Sequence, residues 1–140
     1  MRIGIDARLY GVLGRGLGRY VSELIRELEE IDSENEYVIF LRKENFEEYT
    51  PRNPRFMKVM ADIPWYSLKE QLVLPGLLKS HKLDLVHFPH FNVPVLYREP
   101  YVVTVHDLIL LSHPTTRATT LGPWLYKIKY WMYRAVIWNA

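Results

Sequence analysis

A parallel, doubly wound α/β sheet is the fold this sequence predicts. Short apolar runs alternate with amphipathic stretches of helical length, a glycine-rich loop joins the first run to the first such stretch, and later runs end in polar or proline-containing loops. Alternation of this kind implies right-handed crossovers between parallel strands, with helices on both faces of a mainly parallel sheet. At 140 residues and 49% hydrophobic content, the chain fits one domain over residues 1–140 with apolar side chains enough for a core.

Ile3 to Ile5 is the first strand. After the loop, Leu17, Val21, Leu24, Leu28 and Ile31 recur at spacings of three and four and define one face of a helix. Tyr37 to Leu41 is an uninterrupted apolar run between charged residues, the pattern of a strand covered on both faces. Phe56 to Val59 is a weaker third strand. Ser67 and Glu70 then stand three apart, the capping-box spacing that opens a helix, and Pro75 should kink that helix or begin a second short one. Leu83 to Phe88 and Tyr101 to His106 are two further strands rich in branched and apolar residues. A last helix spans Trp124 to Asn139, carries three tryptophans and three tyrosines beside Lys127, Lys129 and Arg134, and lacks a stop signal.

Composition narrows the function. Eighteen basic against sixteen acidic residues leave a net charge of +2, too balanced for a nucleic-acid binder that works by neutralising phosphates. The absence of cysteine excludes disulfides, thiolate zinc sites and cysteine nucleophiles, and favours a reducing, cytoplasmic setting. No secretory signal and no apolar run of membrane-spanning length is present, so the expectation is a cytoplasmic protein, peripheral at most to the inner face of a membrane.

Ligands of open parallel sheets bind beyond the carboxyl ends of the strands, which selects the loops after Ile5, Phe88 and Val105. Gly14-Arg15-Gly16-Leu17-Gly18-Arg19 precedes the first helix, where main-chain N–H groups and the helix dipole can receive a phosphate or a sugar hydroxyl. A flexible turn is the plain alternative. The glycines follow each other at every second position, and eight residues separate Ile5 from Gly14, which is the wrong spacing for a dinucleotide fingerprint and disfavours an NAD-type oxidoreductase. His106-Asp107 ends the fifth strand and offers an imidazole that can contact a sugar hydroxyl or move a proton near neutral pH. His87 and His90 have no third partner at metal-ligand spacing, so no metal is expected, and His90 with Pro89 is read as shaping the cleft rim. Asp6 and Arg8 follow the first strand, a carboxylate placed to brace the glycine loop and an arginine able to reach a phosphate, unless both are surface-loop residues. Trp65 and Tyr66, followed by Leu68, Leu72 and Leu77-Leu78, are either core or an apolar contact for a membrane or a lipid-linked acceptor.

Four segments taken in order resemble the amino-terminal, Rossmann-like domain of family-4 retaining glycosyltransferases of the GT-B fold, especially bacterial mannosyltransferase-like members. They are Arg2 to Arg8, Gly16 to Val21 leading into Leu24 and Leu28, Asp84 to Phe91 with Pro94, and Thr104 to Ile109 with Pro114. The resemblance implies a hexose transferred with retention from a nucleotide-diphosphate sugar to a glycan or lipid-linked acceptor. It implies a front-face transition state assisted by the leaving phosphate, with neither a required metal nor a cofactor. Carried over, Gly16 and Gly18, with Arg19 and Arg8 beside them, approach the donor diphosphate or the acceptor; His106 contacts the transferred sugar, and Asp107 supports its loop. The donor would be held mainly by a carboxyl-terminal domain that this sequence does not contain, so the isolated chain is expected to be nearly inactive without that partner. The alternative is a non-catalytic module that dimerises or docks on a membrane, the aromatic segment 124–140 serving as the contact.

Overall fold

The computed structural model describes residues 1–106, in which five parallel strands form one sheet of order β3-β2-β1-β4-β5. The strands are β1 (Arg2–Asp6), β2 (Glu36–Leu41), β3 (Phe56–Met60), β4 (Leu85–Phe88) and β5 (Tyr101–Val103). Helix α1 (Arg15–Ile31) follows β1 and helix α2 (Leu68–Ser80) follows β3. The segment from 124 lies outside the described residues, as does Asp107.

Strand order decides which face each helix covers. From β1 to β2 to β3 the chain steps one way along the sheet, and from β3 it returns past β1 to β4 and β5. Right-handed crossovers in opposite directions must lie on opposite faces. The two cores agree: Val21 and Ile25 of α1 pack with Ile5, Ile39 and Leu41, whereas Leu74 and Leu78 of α2 pack with Val38, Phe40, Val86 and Phe88. Alternate residues of β2 therefore serve opposite cores, which is why its sequence is apolar without a break from Tyr37 to Leu41. Gly4 sits where a Cβ would come within 2.6 Å of the Leu83 side chain and 3.2 Å of the Phe40 ring, so glycine here makes room first for Leu83 and then for that ring.

Several expectations change. The buried face of α1 is Gly18, Val21 and Ile25, and Ile31, the last residue of the helix, is exposed. Helix α2 passes through Pro75 as one element, and its buried face is Glu70, Leu74 and Leu78, leaving Leu68 and Leu72 at 81% and 70% exposure. Ser67 caps it by accepting from the Glu70 amide at 3.1 Å, but the Glu70 carboxylate turns back to the Tyr66 amide at 2.8 Å instead of closing the box on Ser67. Strand β5 ends at Val103, so His106 stands three residues beyond the strand in extended chain. Among the described residues no helix is long and apolar enough to cross a membrane.

Candidate functional site at the switch point

The direction of winding reverses between β1 and β4, so the loops leaving these two strands part and leave a crevice. Asp6, Leu9, Trp65, Pro89, His90 and Asn92 line it. Three loops build its walls: the β1–α1 connection, the segment before α2, and the chain after β4.

The β1–α1 connection is held from beneath by Asn45. Its fully buried amide nitrogen faces the carbonyl oxygens of Ala7, Arg8 and Tyr10 at 3.3, 3.2 and 3.0 Å, and its oxygen accepts from the Arg42 amide at 2.9 Å. Gly11 has φ +77 and would place a Cβ 1.9 Å from the Glu48 carboxylate, so only glycine serves there. Arg15 has φ +50 without being glycine, a strained backbone at the point where the chain enters the helix.

Arg8 is not a surface-loop residue reaching for phosphate. It is fully buried, donating through Nε and Nη2 to the two oxygens of Asp6 at 2.8 and 2.7 Å, through Nη2 to Glu70 Oε1 at 2.7 Å, and through Nη1 to the Ile63 carbonyl at 3.1 Å. Burial opposes its charge, but the two carboxylates outweigh burial and raise its pKa further. Burial dominates for Glu70, whose carboxyl is pushed upward despite Arg8, with Asp6 competing for the same guanidinium. Asn92 joins this cluster by donating to Glu70 Oε1 at 2.6 Å, and the network thereby ties the end of β1, the start of α2 and the loop after β4 together.

The glycines of the loop divide. A Cβ on Gly18 would lie 2.0 Å from the Gly11 carbonyl oxygen and 2.6 Å from that of Leu9, and a Cβ on Gly14 would lie 2.0 Å from the latter. These two glycines let α1 press against its own preceding loop. Among the described residues nothing lies within 4 Å of the same position on Gly16, which is exposed. Arg19 is exposed on α1.

His90 lines the crevice, and His106 stands beside it, the two ring centroids 6.5 Å apart. His106 Nε2 lies 2.8 Å from the Pro89 carbonyl oxygen, and its ring meets the Tyr20 ring edge-on at 5.0 Å. A carbonyl can only accept, so Nε2 carries a proton, and in the tautomer with that proton alone Nδ1 is an acceptor. His90 Nε2 is 3.3 Å from the Tyr66 hydroxyl. Beneath them, His87 Nε2 is 2.8 Å from Thr104 Oγ1, which lies 3.3 Å from the Tyr20 hydroxyl. Burial lowers the His87 pKa, which keeps this inner imidazole neutral.

His90, His106 and the glycine loop, the residues the sequence singles out, all lie at the carboxyl edge of the sheet, whereas the sequence gives no hint that Asn45 and Asn92 brace the loops there or that Glu70 and Trp65 belong to the same edge. Trp65 carries the Arg42 guanidinium 4.8 Å from its ring centroid. Only the capping spacing drew attention to Glu70, and nothing local marks the two asparagines. Among the described residues no group of three or more His, Asp or Glu lies close enough to hold a metal.

Comparison with known proteins gives one family match. No curated protein and no solved structure matches the chain. The model of Glycosyltransferase Family 4 matches residues 14–139, nearly the whole sequence. That match, together with a parallel doubly wound sheet of the kind that forms half of a GT-B fold, makes this chain a member of glycosyltransferase family 4.

Proposed function

We propose that this chain is the acceptor-side half of a retaining hexosyltransferase. It works with a nucleotide-sugar-binding partner domain, and the acceptor is a glycan or a lipid-linked glycan. The observation that carries this reading is the His106 ring anchored on the Pro89 carbonyl, beside the switch-point crevice of a family-4 fold. With Nε2 committed to Pro89, Nδ1 is left to accept from a hydroxyl of the sugar being transferred and to hold its ring against the crevice.

In the reaction the acceptor oxygen bonds to the anomeric carbon on the face from which the diphosphate leaves. The acceptor proton passes to the departing phosphate oxygen, so the products are a glycoside of unchanged configuration and a nucleoside diphosphate. The residues on this side orient and exclude water; no side chain forms a covalent bond to sugar. Gly16, at the start of α1 and with no described residue within 4 Å of where a Cβ would stand, suits the approach of a phosphate or sugar hydroxyl to the main chain. Arg19, exposed one turn later, adds positive charge to the same end of the helix.

The test is transfer by the 140-residue chain mixed with, or fused to, a family-4 carboxyl-terminal domain, using a panel of nucleotide-diphosphate sugars. NMR of the product's anomeric proton reads the configuration. Persistent inactivity, or an inverted product, would sink the proposal.

The exposed Leu68 and Leu72 support a second reading, in which this edge of α2 docks the protein peripherally on the inner face of a membrane. Flotation with anionic and neutral vesicles tests it: a chain that stays with the soluble fraction in both removes this reading.

A further inference from the structure

A groove of about 330 Å³ lies on the far side of the β1–α1 connection from the crevice, between α1 and the chain running from β2 to β3. Tyr10, Glu48 and Arg52 line it together with Glu29, Tyr49 and Arg26. Its charges are mostly spoken for. Glu29 Oε1 accepts from the Tyr49 hydroxyl and the Arg52 amide, both at 2.9 Å, and Arg26 is paired with Glu23, Glu27 and Glu30.

Two opposite charges remain. Among the described residues Arg52 makes no ion pair and its guanidinium no hydrogen bond, and Glu48 makes only a long contact, 3.4 Å, from the Val12 amide. They face one groove from the same segment without pairing. Tyr10 supplies an aromatic wall beside them, tilted against Tyr49 at 5.4 Å between centroids.

A simple anion would meet Glu23, Glu29 and Glu48 as well as Arg52, and a simple cation would meet Arg52 and Arg26. A neutral diol meets neither objection. One hydroxyl accepts from the guanidinium, its neighbour donates to the carboxylate, and the C–H face of the ring lies on tyrosine.

We propose that this groove is a saccharide subsite, one that holds a sugar unit of an extended acceptor glycan remote from the unit that reacts at the crevice. The proposal rests on the transferase reading and narrows its acceptor to a chain of more than one sugar. Glu48 lies against Gly11, so the groove and the crevice are two sides of one loop, and a glycan crossing that loop can reach both.

The experiment is an amide-shift titration of the ¹⁵N-labelled 140-residue chain. Probes are methyl α-D-mannopyranoside, methyl α-D-glucopyranoside, an α-linked disaccharide of each, and inorganic phosphate, each to tens of millimolar. A saccharide should shift the amides of Gly11, Val12, Ser22 and Arg52, disaccharides at lower concentration than monosaccharides, and E48Q and R52Q should abolish those shifts while preserving the rest of the spectrum. Shifts confined to His90 and Asn92 would overturn the groove and leave the transferase reading standing. Groove shifts with a silent crevice would support the subsite and weaken the transferase reading. Silence with every saccharide, or a response to phosphate alone, overturns the proposal.

Discussion

His106 is fixed by the carbonyl of Pro89, 2.8 Å from Nε2, and this single bond decides which nitrogen faces the cleft. A residue that can only donate from its outer end would present the wrong polarity to a sugar hydroxyl. Replacing His106 by alanine in the reconstituted transferase should lower kcat about 100-fold or more, the ordinary scale for loss of a positioned polar group at a reacting centre. His106→Asn keeps a polar group of similar reach and should recover part of that loss. Equal activity of wild type and H106A across the nucleotide-sugar panel would remove His106 from the site.

The buried cluster of Arg8, Asp6 and Glu70 makes a stability prediction. Glu70→Ala leaves the fully buried guanidinium with one carboxylate and should destabilise the fold by about 3–5 kcal/mol in urea denaturation. Glu70→Gln retains the acceptor for Asn92 and should cost less. Because burial raises the Glu70 carboxyl above its ordinary 4.5, the folded chain holds this proton more tightly than the unfolded chain. Its contribution therefore favours folding below pH 4.5 and declines as pH rises through the raised value. A wild-type stability profile that matches E70Q over that window would refute the assignment.

How much of this was legible in sequence depends on the range of each interaction. The β2 run and the spacing of Val21, Leu24 and Leu28 are local signals and located their elements. Periodicity puts Leu17 and Ile31 on the buried face of α1, but Gly18, which carries no hydrophobic mark, packs against the loop and Ile31 is exposed. Strand β5 was drawn too long because Thr104 and Val105 are β-branched, yet only Thr104 still bonds to β4, through the Phe88 carbonyl at 2.9 Å. Arg8 looked like a phosphate ligand because its partner Glu70 is 62 residues away, and Asn45 and Asn92 are ordinary polar residues until folding brings them under the loops. Topology alone points to the carboxyl edge of the sheet; the buried side chains that brace its loops are legible only in the fold.

Two neighbouring glycines separate packing from ligand contact. Gly18→Ala would drive a Cβ to 2.0 Å from a carbonyl oxygen and should destabilise by about 1–3 kcal/mol, as overpacking does. Gly16→Ala meets nothing within 4 Å and should leave the melting temperature unchanged or slightly raised. A fall in transfer rate in G16A at full stability would therefore report a ligand at the main chain of α1. Unchanged kinetics in G16A would confine the role of this loop to packing.

The last prediction concerns the inner histidine. His87 sits half-buried in β4 with Nε2 on the Thr104 hydroxyl, and burial alone depresses its pKa below 6.5. The unfolded chain thus takes up a proton at a pH where the folded chain still refuses it, so stability is fully present above 6.5 and declines as pH falls through the depressed folded value. Melting temperature measured from pH 8 down to 5 should drop on the acid side of 6.5, and His87→Gln, which keeps a polar end for Thr104 but cannot titrate, should flatten that part of the drop. The same protonation makes the ring a donor on both nitrogens and disturbs the Thr104–Tyr20 contact that stands behind His106. An acid slope identical in wild type and H87Q would mean that the neutral His87 contributes nothing to the acid edge.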